Sequence, residues 1–261
     1  MRRNAATSML LASLALGLAA CKDSTAPLTL ATDAAIQSNV AASAGDAAAS
    51  QIAWMIANEA AAALPSSQPS FNILGSPPVT ETFNFTRTRV CLDASNVVVT
   101  NCTPLSSVRK VATHLQLDGS RVGPNFVGAV HRVHDDTTTR VLNVAGTADS
   151  LRVHNGVTAS HDTTTFTDST RSALHIENAT DSVRAITWRL PRSTNPWPIS
   201  GSYVRNVAVH ASFTHNSVTE TRDVVKRVEV DFPADAQGNV VLKIDAKTCN
   251  LNLVTHAVTC P

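Results

Sequence analysis

The chain has 261 residues and a net charge of +1, and its 43% hydrophobic content is enough for a packed core. Aromatic residues make up only 4%, so that core is built from Val, Ala, Leu and Ile. Charges of both signs are scattered, with no basic run and no charged tail, which excludes the electrostatic footprint of a nucleic-acid binder.

The first element is a leader. Arg2 and Arg3 precede an apolar run from about Met9 to Ala20, the pattern of a secretion signal. At about twelve residues the run falls short of the roughly twenty needed to span a bilayer. It closes on Leu18-Ala19-Ala20-Cys21, which resembles the lipobox of bacterial lipoproteins. The resemblance covers residues 1–21. It implies cleavage before Cys21, acyl chains on that residue as the link to a membrane, and a bacterial cell-envelope location. In the family's sorting rule, aspartate after the cysteine retains the protein at the inner membrane; Lys22 stands there, so the resemblance implies the outer membrane. Losing residues 1–20 removes two cations and no acid, taking the charge from +1 to −1. The remaining length suits one large β domain or two ordinary ones.

Residues 21–32 read as a small, polar tether. Residues 33–64 are alanine-rich and form the one long helical pattern. Asp33 serves as N-cap, Pro65 ends the run, and Gly45-Asp46 offers a division into two helices. Its second half is apolar nearly all round, apart from a stripe through Gln51 and Asn58 with Glu59 beside it, which predicts burial on several sides. Packing on a sheet is the simpler reading. The functional one has the helix lining a cavity, with Ile52, Met55 and Ile56 as candidate contacts for an apolar ligand. Residues 65–78 hold four prolines and read as a linker.

From Val79 to Pro261 the pattern has period two. Tyr203, Arg205, Val207, Val209, Ala211 and Phe213 alternate with Val204, Asn206, Ala208 and His210. Val224, Lys226, Val228, Val230 and Phe232 share a face, and so do Val240, Leu242, Ile244 and Ala246. Such alternation predicts half-buried strands. Turns are expected at Asp118-Gly119, Asp135-Asp136, Gly146 to Asp149, Asn155-Gly156, Asn178 to Asp181, Asn216 and Gln237-Gly238-Asn239. The result is about a dozen strands. The predicted fold is mainly β: a large curved antiparallel meander, an open or partly closed barrel or sandwich, with the alanine-rich helix packed on it. The proline-rich stretch from Leu190 to Gly201, with Trp197, interrupts the meander.

Four cysteines remain after Cys21: Cys91 and Cys102, then Cys249 and Cys260, each pair eleven positions apart. In an exported chain an even count reads as disulfides. Local pairs are favoured because Val97-Val98-Val99 and Leu251-Asn252-Leu253 suggest strands folding back; the alternative ties the first strands to the last. No C-x-x-C spacing supports a metal.

Nine histidines raise a metal hypothesis. His131 and His134, three apart on a strand, point to opposite faces and make no ready chelate, so no metal site and no cofactor is assigned. The segments from His134 to Thr139 and from His161 to Thr165 look alike, as a repeated hairpin or strand edge would. Ser107-Val108-Arg109-Lys110 matches S-x-x-K, but in a strand-like run with no S-D-N or K-T-G after it. No catalytic residue is assigned. A hydrolase would need histidine and carboxylate to converge in one cleft. The leading expectation is a non-enzymatic envelope lipoprotein binding an apolar small molecule; the alternative is a structural or adhesive surface lipoprotein that meets an envelope protein.

Overall fold

The computed structural model describes residues 40–41, 44–45, 47–52, 55, 80–100, 102, 108–142 and 149–260. The leader, Cys21, the tether, the linker and Ile56 lie outside these residues, as do Asp46, Asn58 and Glu59.

Among the described residues, eleven strands form one antiparallel sheet. They are β1 (Thr80–Leu92), β2 (Val98–Val99), β3 (Lys110–Gly123), β4 (Phe126–Leu142), β5 (Asp149–Thr167), β6 (Arg171–Arg189), β7 (Ser200–His215), β8 (Val218–Asp231), β9 (Asn239–Ile244), β10 (Lys247–Asn252) and β11 (Val258–Thr259). Their order is β11-β10-β9-β8-β7-β6-β5-β4-β3-β1-β2, a meander whose one departure is β2, folded onto the outer side of β1. The sheet is mainly β as the alternation predicts, and it is not closed.

The described residues of the alanine-rich stretch are helical. Ala41, Ala44, Ala48, Ala49, Ile52 and Met55 join one core cluster with Ile186, Trp188, Tyr203, Val228, Val230, Leu242 and Leu251. Alanine lets the helix backbone lie close to the strands. At Gly45 a Cβ would come within 2.7 Å of Val258 and 3.1 Å of Leu251, so the glycine serves close approach to β10 and β11. Six residues on, the Gln51 amide lies 3.4 Å from the His134 ring on β4. Six helical residues rise about 9 Å, whereas the six strand spacings between β10 and β4 would span about 29 Å in a flat sheet. The sheet therefore curls around the helix, and the helix-facing side is concave.

The central strands are longer than expected, with 19 residues each in β5 and β6. Asp118-Gly119, Asp135-Asp136, Asn155-Gly156 and Asn178 to Asp181 all fall inside strands. Their polar side chains are spent on cross-strand partners instead. Asp118 accepts from His131 at 2.6 Å, Asp135 pairs with His114 at 2.8 Å and Asn178 with His161 at 2.6 Å. Asn155 Oδ1 accepts the Ala185 amide at 2.9 Å, where β6 bulges against β5. At Gly156 a Cβ would sit 2.6 Å from the Asp135 carbonyl oxygen, so this glycine answers to strand contact, not to a turn. Two turn expectations hold: Asn216-Ser217, both with positive φ, joins β7 to β8, and Gln237-Gly238 lies between β8 and β9. The β9 face ends at Ile244, because Asp245-Ala246 turns the chain into β10. The look-alike segments at His134 and His161 are mid-strand, with the two histidines on opposite faces.

Both disulfides are local, Cys91–Cys102 and Cys249–Cys260. Each secures a two-residue edge strand, β2 or β11, at one margin of the sheet.

Candidate functional site on the concave face

Strand register sorts the concave face into zones. Nearest the helix lies the apolar core. Next comes a polar belt, whose first row runs His134–Thr158–Asp181–Arg205 across β4 to β7. The Gln51 amide meets His134 in this row, so this polar position of the helix lies against the polar row of the sheet. His134 Nδ1 is 2.6 Å from the Thr158 hydroxyl. Burial lowers the His134 pKa below the ordinary imidazole value, against the pull of Asp136 and Asp135.

Arg205 is the centre of the belt. Its guanidinium donates to both oxygens of Asp181 at 2.9 and 2.8 Å and to Glu177 at 2.6 Å. Burial alone would lower its pKa; the charges of Asp181 and Glu177 outweigh that and hold it raised. Two rows further on, Asp162 faces Glu177 across β5 and β6 and accepts from Arg132 at 3.3 Å. Burial raises the Asp162 pKa, Arg132 opposes the shift, and Glu177 adds to it. His175 lies beyond, its pKa lowered by burial with Glu177 and Asp162 opposing.

The outermost zone is phenylalanine-rich. Phe126, Phe166, Ala173 and Phe213 occupy one row across β4 to β7, whereas Phe85 faces Leu117 within the belt, in the row of Arg132. Backbone register also puts Phe83 on this face of β1. Three of the chain's seven phenylalanines, Phe126, Phe166 and Phe213, thus share a row of the concave side beyond the belt. Phe85, Leu117, Phe166 and Phe213 are each partly exposed. The Arg171 guanidinium stands 6.0 Å over the Phe166 ring, and His215 stacks on Phe213 at 6.5 Å.

The two sequence-predicted ligand contacts that are described lie elsewhere. Ile52 is 4% and Met55 0% exposed, both within the packed core. The phenylalanine zone was not singled out from the sequence, although period two from Tyr203 to Phe213 already assigned Phe213 a face.

The outer face carries the exposed histidines. His114–Asp135, His131–Asp118 and His210–Asp223 are cross-strand pairs at 2.6 to 2.8 Å. His114 and Asp135 line a shallow groove of about 590 Å³ across β1 to β6, together with Thr88, Thr137, Ser182 and Arg184. Histidine and carboxylate therefore do meet in one groove, where the His114 ring pairs with Asp135 at 2.8 Å. His154 is buried, 3.6 Å from Asp136 and edge-on to Trp188. Lys110 of the S-x-x-K match opens β3 and donates to Asn96 at 2.7 Å; Ser107 lies outside the described residues. Among the described residues no three His, Cys, Asp or Glu side chains converge as metal ligands. Comparison with protein-family models, with curated proteins and with solved structures found no match.

Proposed function

We propose that the protein is a non-enzymatic binding protein of the bacterial cell envelope, anchored by acyl chains on Cys21, that holds an apolar molecule against the concave face of its sheet. The observation that carries this reading is the phenylalanine zone. In a chain with few aromatic residues, Phe166 and Phe213 stand in one row of the inner surface, outside the packed core, and are partly exposed. Exposed contiguous apolar surface rimmed by polar groups marks a binding site in soluble domains. The charged belt forms the polar floor of that site, so a molecule with an apolar body and a polar end suits it. The leader and the Leu-Ala-Ala-Cys sequence support the anchor and the outer-membrane location.

The structural or adhesive reading draws on a different observation, the close packing of Ile52 and Met55 in a solid core. Titration of residues 22–261 with a fluorescent apolar probe separates the two. Phe166→Glu or Phe213→Glu weakens probe binding by about tenfold or more, the scale of one buried aromatic contact, with thermal stability little changed. Equal binding by wild type and both variants rejects the concave site.

A further inference from the structure

We infer that the polar end of the bound molecule is a cation, an ammonium group seated against Asp162 and Glu177. This rests on the binding reading above and names the ligand class of that site, a cationic amphiphile. Across β4 to β7 the rows from Arg205 to Asp162 hold three carboxylates, Asp162, Glu177 and Asp181, against two guanidiniums, Arg132 and Arg205. Both guanidiniums are engaged, Arg132 with Asp162 and Arg205 with Asp181 and Glu177. With every group ionised, the belt is one positive charge short.

The shortfall lies on the side of the belt nearest the phenylalanines. Asp162 and Glu177 stand directly opposite each other across β5 and β6, where like charges destabilise a sheet. Oδ1 of Asp162 is buried without a hydrogen-bond partner, and so is the hydroxyl of Ser160, two residues back on the same face of β5. Ser160 is only 8% exposed, and a buried polar atom left unpaired is costly. An ammonium group has three donors and no acceptor, so it can bond Asp162 and Ser160 together while facing Glu177. The Nε atoms of Arg132 and Arg205 are unpaired as well and would welcome an acceptor, but an anionic end would bring a fourth negative group into the belt.

Strand spacing joins this seat to the phenylalanine row. Asp162 and Phe166 lie four residues apart on one face of β5, a separation of about 14 Å. The row between them holds Thr164, His175 and Ala211. Burial lowers the His175 pKa, so at neutral pH this histidine brings no charge to the acids. Arg171, beside Phe166 at the far end, is paired with Asp168. A molecule whose apolar body lies along Phe166 and Phe213 therefore meets neutral surface until its end reaches Asp162 and Glu177.

Displacement of a neutral fluorescent probe, N-phenyl-1-naphthylamine, from the mature chain (residues 22–261) tests the inference with decylammonium, decanol and decanoate, each below its micelle concentration. Decylammonium is expected to displace the probe at least about tenfold more effectively than decanol, the scale of one charge-assisted hydrogen bond, with decanoate the weakest. Asp162→Asn should abolish the advantage of decylammonium over decanol, and circular dichroism checks that the variant is folded. If it is not, the order of the three compounds on the wild type decides alone. A probe that binds but is displaced equally by all three compounds, or best by decanoate, overturns the cation and leaves the binding reading standing. An advantage that survives in folded Asp162→Asn overturns the seat. A wild-type chain that binds no probe overturns both readings.

Discussion

Arg205 reaches two carboxylates at once, and all three groups lie in the concave side's buried belt. Removing one member of such a cluster strands the others, at about 3–5 kcal/mol. Arg205→Leu is therefore expected to lower the urea midpoint sharply, and replacing Asp181 and Glu177 by leucine in the same chain to recover most of the loss. A triple variant as unstable as the single one would mean that the arginine contributes packing alone. His134 gives the belt a pH dependence. Its unfolded imidazole takes a proton below about pH 6.5, while burial lowers the folded pKa. Between those two values the unfolded state binds more protons, so stability is complete above the window and falls as pH drops through it. His175 adds in the same direction. Unfolding at about pH 7 and about pH 5 should show this loss, and His134→Gln should reduce it; an unchanged loss in the variant would remove His134 from the account. At this scale the sequence was partly legible. Period two put Arg205 on the face of Tyr203 and Val207, but its two acids come from β6, and no local pattern pairs 205 with 181 and 177.

Strand length is where local signals and tertiary contacts disagree. Asn155-Gly156 carries the strongest hairpin signal of the chain, yet it lies inside β5. There the asparagine side chain satisfies an amide at the β6 bulge, and the glycine allows β4 to approach. Gly156→Ala would force its Cβ against the Asp135 carbonyl at 2.6 Å, a backbone contact that cannot rotate away, and should cost about 1–3 kcal/mol. Chemical denaturation measures this, and a neutral result would mean that β4 and β5 separate easily. The same competition explains Asp118, Asp135 and Asn178. Asp and Asn favour turns by bonding their own backbone, but each has a histidine directly across the ladder that offers a better-placed partner. Those histidines are distant in sequence, so a chain read locally cuts the long strands in two. Asn216 had no such partner on a facing strand and does turn.

For the whole molecule, the alternation was enough to establish a curved antiparallel meander, and the local cysteine spacing matches the two disulfides formed. The all-round apolarity of the helix signalled enclosure, which the contacts of Gly45 with β10 and of Gln51 with β4 display. Gln51 was legible as a polar position without its purpose, because the row it meets is assembled from four strands. Enclosure of the helix by one end of the sheet leaves the other end of the concave face to the phenylalanines, and this division is the basis of the binding proposal. The most direct test is mass spectrometry of organic extracts from residues 22–261 purified from the periplasm, beside the Phe166→Glu and Phe213→Glu variants. The account predicts a stoichiometric apolar molecule in the wild-type extract that is lost from the folded variants. A clean, empty and stably folded wild-type protein would contradict it.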